Sequence, residues 1–173
     1  MTHLCCDVLK RLAGKTLCTA ESCTGGGIGA ALTAISGSSA VYKGGIISYT
    51  NEIKHDLLGV NHGLLESCGA VSAPGAEAMA EGARKVLRAD VAVSVTGLAG
   101  PGGDDFGNPV GRVYIGYADE KHTLHRQFTF SGSREVVRRQ AAEEALKLFL
   151  EYNLQSTPGG FVTAGGCRIM GKS

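Results

Sequence analysis

Three short polar clusters in this sequence carry the residue types that acyl-transfer chemistry uses. Glu21-Ser22-Cys23-Thr24 runs into Gly25, Gly26 and Gly27; Ser48-Tyr49-Thr50-Asn51 is followed by Lys54; and Thr96-Gly97 opens a run rich in glycine and proline. A serine hydroxyl is a weak nucleophile until a base takes its proton. No Gly-x-Ser-x-Gly elbow is present and no histidine is obviously paired with Ser22, which disfavours a Ser-His-Asp arrangement. A lysine is the better candidate base. Lys54 lies five residues after Tyr49, close enough for both side chains to reach one crevice. To act as a base it must lose its proton, which requires burial or a cationic neighbour.

Each of these residues has a plainer reading. Lys54 picked blindly is an ordinary solvated helix lysine, and Tyr49 a strand residue with its hydroxyl at the rim. Cys23 is the rival nucleophile, because a thiol at a helix N-terminus has a lowered pKa. Otherwise it is a small buried hydrophobe. Asp104 and Asp105 offer a metal ligand or a general acid, yet such a pair in a glycine-rich loop is more often simply solvated. Serial glycines after Ser22 let the backbone approach a ligand, and a following helix would point N–H groups at a phosphate or an oxyanion. They also permit close packing of a helix on a sheet. Neither a Walker motif nor a well-formed dinucleotide fingerprint is present.

The elements that must position these clusters follow from periodicity. Leu4, Val8, Leu9 and Leu12 recur at helical spacing, ending near Gly14. A strand is expected over Lys15 to Ala20, a buried helix over Ile28 to Ile35 and a second strand over Gly45 to Thr50. Asn51 is the expected cap of a helix through Lys54 to Leu58. Ser72 and Pro74 announce a helix continuing over Ala76 to Leu87. The apolar run Asp90 to Thr96 reads as a strand. A loop over Gly97 to Pro109 leads to a hairpin of Val110 to Ala118 and His122 to Phe130, and Arg134 to Tyr152 forms the last helix. Alternation of this kind predicts an α/β fold with a sheet between helices. Ligands gather at the carboxyl ends of strands in such sheets. If the strands are parallel, all three clusters face one crevice.

Bulk properties narrow the function classes. At 173 residues the chain suits one domain. With 17 basic and 16 acidic residues the net charge is +1, which gives no electrostatic footprint for nucleic acid or a membrane surface. No stretch approaches a membrane span, and the opening MTHLCCDVLKRLAGK does not read as a secretory signal, so a cytoplasmic location is expected. The six cysteines form no Cys-x-x-Cys pair and do not combine with histidine at zinc spacing. Reduced thiols and no metal are the expectation.

The motifs TAESCTGGG, GSSAVYKGGIISYTNEIKHDLLGV, GAVS, VSVTGLAGPGG, NPVGRVY and FSGSREVVRRQAAEEAL occur in that order. Together they resemble the CinA C-terminal domain family over roughly residues 5 to 152. The resemblance implies a three-layer α/β/α sandwich with a mixed, mainly parallel sheet, a homodimer, and deamidation of nicotinamide mononucleotide to nicotinate mononucleotide and ammonia. It implies no cofactor. Ser22 matches the family's nucleophile, Tyr49 its tyrosine and Lys54 its lysine. Ser38 and Ser39, Thr96 and Gly97, and Arg138 match positions near the substrate, and Thr24, Gly25 and Gly26 of the glycine turn are expected to bind it as well. Arg138 is the expected phosphate partner, since a guanidinium binds phosphate through two hydrogen bonds.

Two departures from the family pattern bear on this. Ser133 stands where an acid is usual, which puts a cap or an arginine partner in question. The loop Asp104 to Asn108 lacks the usual lysine before proline. Two functional readings stay open: a Ser-Lys amidohydrolase acting on a small nucleotide, or a non-catalytic nucleotide-binding module. The domain is expected over residues 1 to 153, with a glycine-rich tail over 154 to 173 that is ordered only by docking.

Overall fold

The computed structural model describes residues 1–12 and 14–153. The expected tail lies outside the described residues. The chain alternates as α1 (Thr2–Arg11), β1 (Leu17–Glu21), α2 (Gly27–Thr33), a single 3₁₀ turn (Ser38–Ala40), β2 (Tyr42–Ile47), α3 (Asn51–Leu58), α4 (His62–Cys68), α5 (Ala73–Val86), β3 (Val91–Gly97), β4 (Arg112–Ala118), β5 (Thr123–Thr129) and α6 (Arg134–Asn153). Five strands form one sheet in the order β2-β1-β3-β4-β5. β1 pairs in parallel with β2 and β3, while β4 runs antiparallel to β3 and β5. The sheet is therefore mixed, with β4 alone reversed.

Two cores cover its faces, giving the α/β/α layering. On one face Val8, Ile28, Leu32, Val137, Ala141 and Phe149 of α1, α2 and α6 pack on Leu17, Val91, Val93, Val95 and Ile115. On the other, Leu58, Leu65, Met79, Ala80 and Ala83 of α3, α4 and α5 pack on Cys18, Ala20, Ala92 and Ala118. Alternate residues of β1 and β3 thus enter opposite cores, as the two-residue period of a strand requires. Both strands are buried on both faces, which explains their near-continuous small and branched apolar character.

The element boundaries shift where pairing overrides composition. β2 begins at Tyr42, three residues before the expected strand, because Tyr42 to Ile47 pair with Leu17 to Glu21. Ser48, Tyr49 and Thr50 then leave the ladder for the turn into α3. Thr50, not Asn51, caps that helix: its side chain accepts from the Ile53 N–H. Ser72 caps α5 as expected, accepting from the Gly75 N–H at 3.1 Å. α4 is a helix the periodicity does not predict; at seven residues with an internal glycine it is too short to show one. Ser133 accepts from the Val136 N–H and so caps α6 in place of the family's usual acid. Cys5, Cys18, Cys23 and Cys68 are free thiols.

Candidate active site

β1, β2 and β3 run side by side in one direction, so their carboxyl ends deliver the three polar clusters to one edge of the sheet. There they surround a cavity of about 260 Å³ lined by Ser22, Tyr49, Lys54, Thr96, Gly97 and Arg134 among others. Ser22 follows the last residue of β1, and its N–H donates to Val95 O of the neighbouring strand at 2.9 Å. The turn after it closes through Gly25 N–H to Ser22 O and Gly27 N–H to Thr24 O. Gly25 and Gly26 take φ values of +61° and +90°, left-handed conformations that side chains disfavour, so this reversal is cheap only with glycine.

Glu21 holds the turn from beneath. Its side chain is 1% exposed and accepts from the Ile28 N–H at 3.1 Å and the Gly29 N–H at 2.9 Å. The positive end of α2 is thus satisfied by the protein's own carboxylate. That corrects the reading of the α2 N–H groups as a cradle for a ligand anion. Arg138 holds the turn from the side, donating from Nε to Cys23 O and from a terminal nitrogen to Thr24 O, each at 2.9 Å. Its guanidinium is engaged within the fold and it is not among the cavity residues.

Lys54 sits in the first turns of α3 and reaches under Tyr49 to the serine. Its Nζ donates to Ser48 O at 2.7 Å, to Ser22 Oγ at 3.2 Å and to Tyr49 O at 3.4 Å. With the residue only 2% exposed, burial pulls its pKa down from 10.5 to about 8. Among the described residues no carboxylate forms an ion pair with it. The environment therefore brings the neutral amine that the sequence argument required within reach of neutral pH. Ser22 is 8% exposed, reached from the cavity and from Lys54. Cys23 also lines the cavity, but burial pushes its thiol up to about 11, opposite to what a cysteine nucleophile needs.

The remaining expected residues divide. Thr96 and Gly97 line the cavity, and Thr96 Oγ1 donates to Ala70 O, tying β3 to the segment before α5. Thr24, Gly25 and Gly26 form the turn without lining the cavity. Ser38 and Ser39 lie before β2, hence at the amino ends of the parallel strands and away from Ser22. Asp104 anchors its own loop, accepting from the Phe106 and Asn108 N–H groups and from Asn108 Nδ2. Asn51 lines the cavity with the cluster it was read in, and the charged cavity residue that sequence reasoning missed is Arg134. Arg134 lies within FSGSREVVRRQ one helical turn before Arg138, so the signal was helical spacing on the face already implicated.

A family model described as the CinA C-terminal domain matches residues 2–153. The chain belongs to that family. It is 52% identical over 140 residues to a CinA-like protein of Synechococcus sp. (strain RCC307), covering 80% of this chain and 34% of the relative. It spans about a third of the length of the CinA-like proteins it matches. Nicotinamide-nucleotide amidohydrolase PncC of Escherichia coli (strain K12) is 45% identical over 145 residues, covering 83% of this chain and 88% of that protein. Among solved structures, the competence/damage inducible protein CihA from Agrobacterium tumefaciens superposes with a TM-score of 0.85 at 40% identity, covering 88% of this chain and 94% of that one. The competence damage-inducible protein A from Klebsiella pneumoniae does so at 0.88 and 33%, covering 90% and 98%.

Proposed function

We propose that the protein is an amidohydrolase that converts nicotinamide mononucleotide and water to nicotinate mononucleotide and ammonia, with Ser22 as nucleophile and Lys54 as general base. The observation that carries this is the hydrogen bond of 3.2 Å between Lys54 Nζ and Ser22 Oγ at a cavity, with the lysine's pKa lowered to about 8. The likeness to the PncC amidohydrolase supports the substrate. A module that only bound nucleotides would have no use for a buried lysine against a serine, and burying that charge is costly.

In the reaction, neutral Lys54 takes the Ser22 proton as Oγ bonds to the carboxamide carbon. The carbonyl π electrons move to oxygen, where the N–H of Cys23, the residue of the turn beside Ser22 that lines the cavity, stabilises them, a contribution of about 3 kcal/mol for such a donor. Collapse breaks the C–N bond as Lys54 passes its proton to the leaving nitrogen, releasing ammonia. Water then adds to the acyl-enzyme, Lys54 accepting its proton and returning one to Ser22 as the acid departs. Tyr49 orients the lysine through its carbonyl and presents its hydroxyl at the rim. Arg138 and Glu21 keep the turn in place.

The catalytic unit is residues 1 to 153, needs no metal or cofactor and works in the cytoplasm as a homodimer. Among the described residues no helix is long and apolar enough to cross a membrane. The edge position of β2, with Ile47 56% exposed, supports self-association. The direct test is ammonia and nicotinate mononucleotide formation from nicotinamide mononucleotide by purified protein, beside nicotinamide and glutamine. Turnover of the nucleotide alone is the expected result; saturable binding of the nucleotide with no turnover contradicts it.

A further inference from the structure

Arg134 is the one cavity residue with a full positive charge that amide hydrolysis itself does not use. It opens α6, one turn before Arg138, on the helix side that meets the Ser22 turn. One of its terminal nitrogens donates to Gly100 O at 2.7 Å and the other to the Tyr49 hydroxyl at 3.0 Å. A guanidinium carries five donors, so these two contacts leave three. Among the described residues no carboxylate forms an ion pair with it. The charge stands exposed at a cavity already holding Lys54.

The other two places where an anion would be sought are filled by the protein itself. Glu21 occupies the N-terminus of α2, and Arg138, turned to Cys23 O and Thr24 O, does not line the cavity. An anionic substrate group therefore has Arg134 as its cationic partner. A planar fork facing a tetrahedral dianion is a strong, directional pairing.

We propose that Arg134 is the specificity residue of this site, reading a terminal phosphate monoester on the substrate and exchanging its hydrogen bond to the Tyr49 hydroxyl for phosphate oxygens. The exchange frees that hydroxyl at the cavity mouth only when a phosphorylated substrate is bound. Tyr49 spans both ends of the site, because its carbonyl meets Lys54 and its hydroxyl meets Arg134. The proposal rests on the amidohydrolase reading for its substrate, and on Arg134 alone for the phosphate.

The test compares kcat/KM for nicotinamide mononucleotide with that for nicotinamide riboside, which keeps the amide and ribose and lacks the phosphate. The wild type is expected to prefer the nucleotide strongly. Arg134→Gln should cut that preference by about 10- to 100-fold, the range for a hydrogen bond to a charged group, and Arg134→Lys should restore part of it. A preference unchanged within twofold in a folded Arg134→Gln overturns the assignment, since a merely structural loss lowers both substrates alike. Ribose 5-phosphate binding, followed by calorimetry, should be at least as tight in Tyr49→Phe as in wild type, because the hydroxyl competes for the guanidinium. Weaker binding there contradicts the exchange. If the wild type hydrolyses neither amide, the amidohydrolase reading fails and ribose 5-phosphate decides the rest. Binding lost in Arg134→Gln then keeps the phosphate assignment, and wild-type binding that is absent or survives the substitution overturns it.

Discussion

Lys54 Nζ stands 3.2 Å from Ser22 Oγ, across a separation of 32 residues. Neither residue could be placed by its own element alone. β1 presents the serine where the strand ends, and α3 carries the lysine back beneath the turn that leaves β2. The parallel pairing of β1 with β2, ending at Glu21 opposite Ile47, sets the distance between them.

This contact sets the pH dependence of activity. Lys54 works as a base only when neutral, and its pKa is lowered to about 8. The rate should rise with pH, change slope near 8 and level off above it. A profile of kcat/KM against pH checks this. A rate that falls as pH rises from 7 to 9 contradicts a lysine base.

The same burial costs stability. Between about 8 and 10.5 the unfolded chain holds the lysine proton and the folded chain does not, so stability rises with pH across that window. Below it the full penalty applies, roughly 3 kcal/mol at most from the size of the shift. Lys54→Met should therefore abolish activity yet raise stability at pH 7 by about 1 kcal/mol, after loss of the bonds to Ser48 O. Urea unfolding at pH 7 measures it; a variant less stable than wild type contradicts the cost.

Cys23 lines the cavity with a thiol pushed up to about 11 by burial, so it is protonated at neutral pH. Cys23→Ala should keep ammonia release within about tenfold of wild type, and alkylation of that thiol should be slow. Loss of activity comparable to that of Ser22→Ala would transfer the nucleophile role to the cysteine.

Arg138 ties α6 to the carbonyls of Cys23 and Thr24. Arg138→Ala should lower kcat by about 10- to 100-fold through a misplaced turn, with little change in KM, because the loss is one of orientation. Steady-state kinetics separate the two parameters. A rise in KM at constant kcat points instead to direct substrate contact by Arg138.

Most of the fold was legible in the sequence because β1, β3 and β4 are short, largely apolar runs and the longer helices carry caps or strong helix formers. α4 was not, being too short for a period. β2 was placed three residues late because Lys43 and Gly44 have little strand character, and pairing with β1 decides where the strand begins. At the site, Ser22, Tyr49 and Lys54 were found from residue type and strand ends, and the structure brings them together. Arg138 was read as the phosphate partner and Arg134 was not singled out. Both lie on one helix face, and only side-chain geometry shows which holds the turn and which meets the cavity. Glu21 was passed over because a carboxylate at a strand end gives no sign that it will fold back onto the next helix.

The most direct measurement is ammonia release from nicotinamide mononucleotide by wild type and by Ser22→Ala, with folding of the variant verified by circular dichroism. The expected result is measurable turnover by wild type and a loss of at least about 1,000-fold in the variant, as removal of an activated nucleophile produces. Undiminished release by Ser22→Ala would contradict Ser22 as the nucleophile.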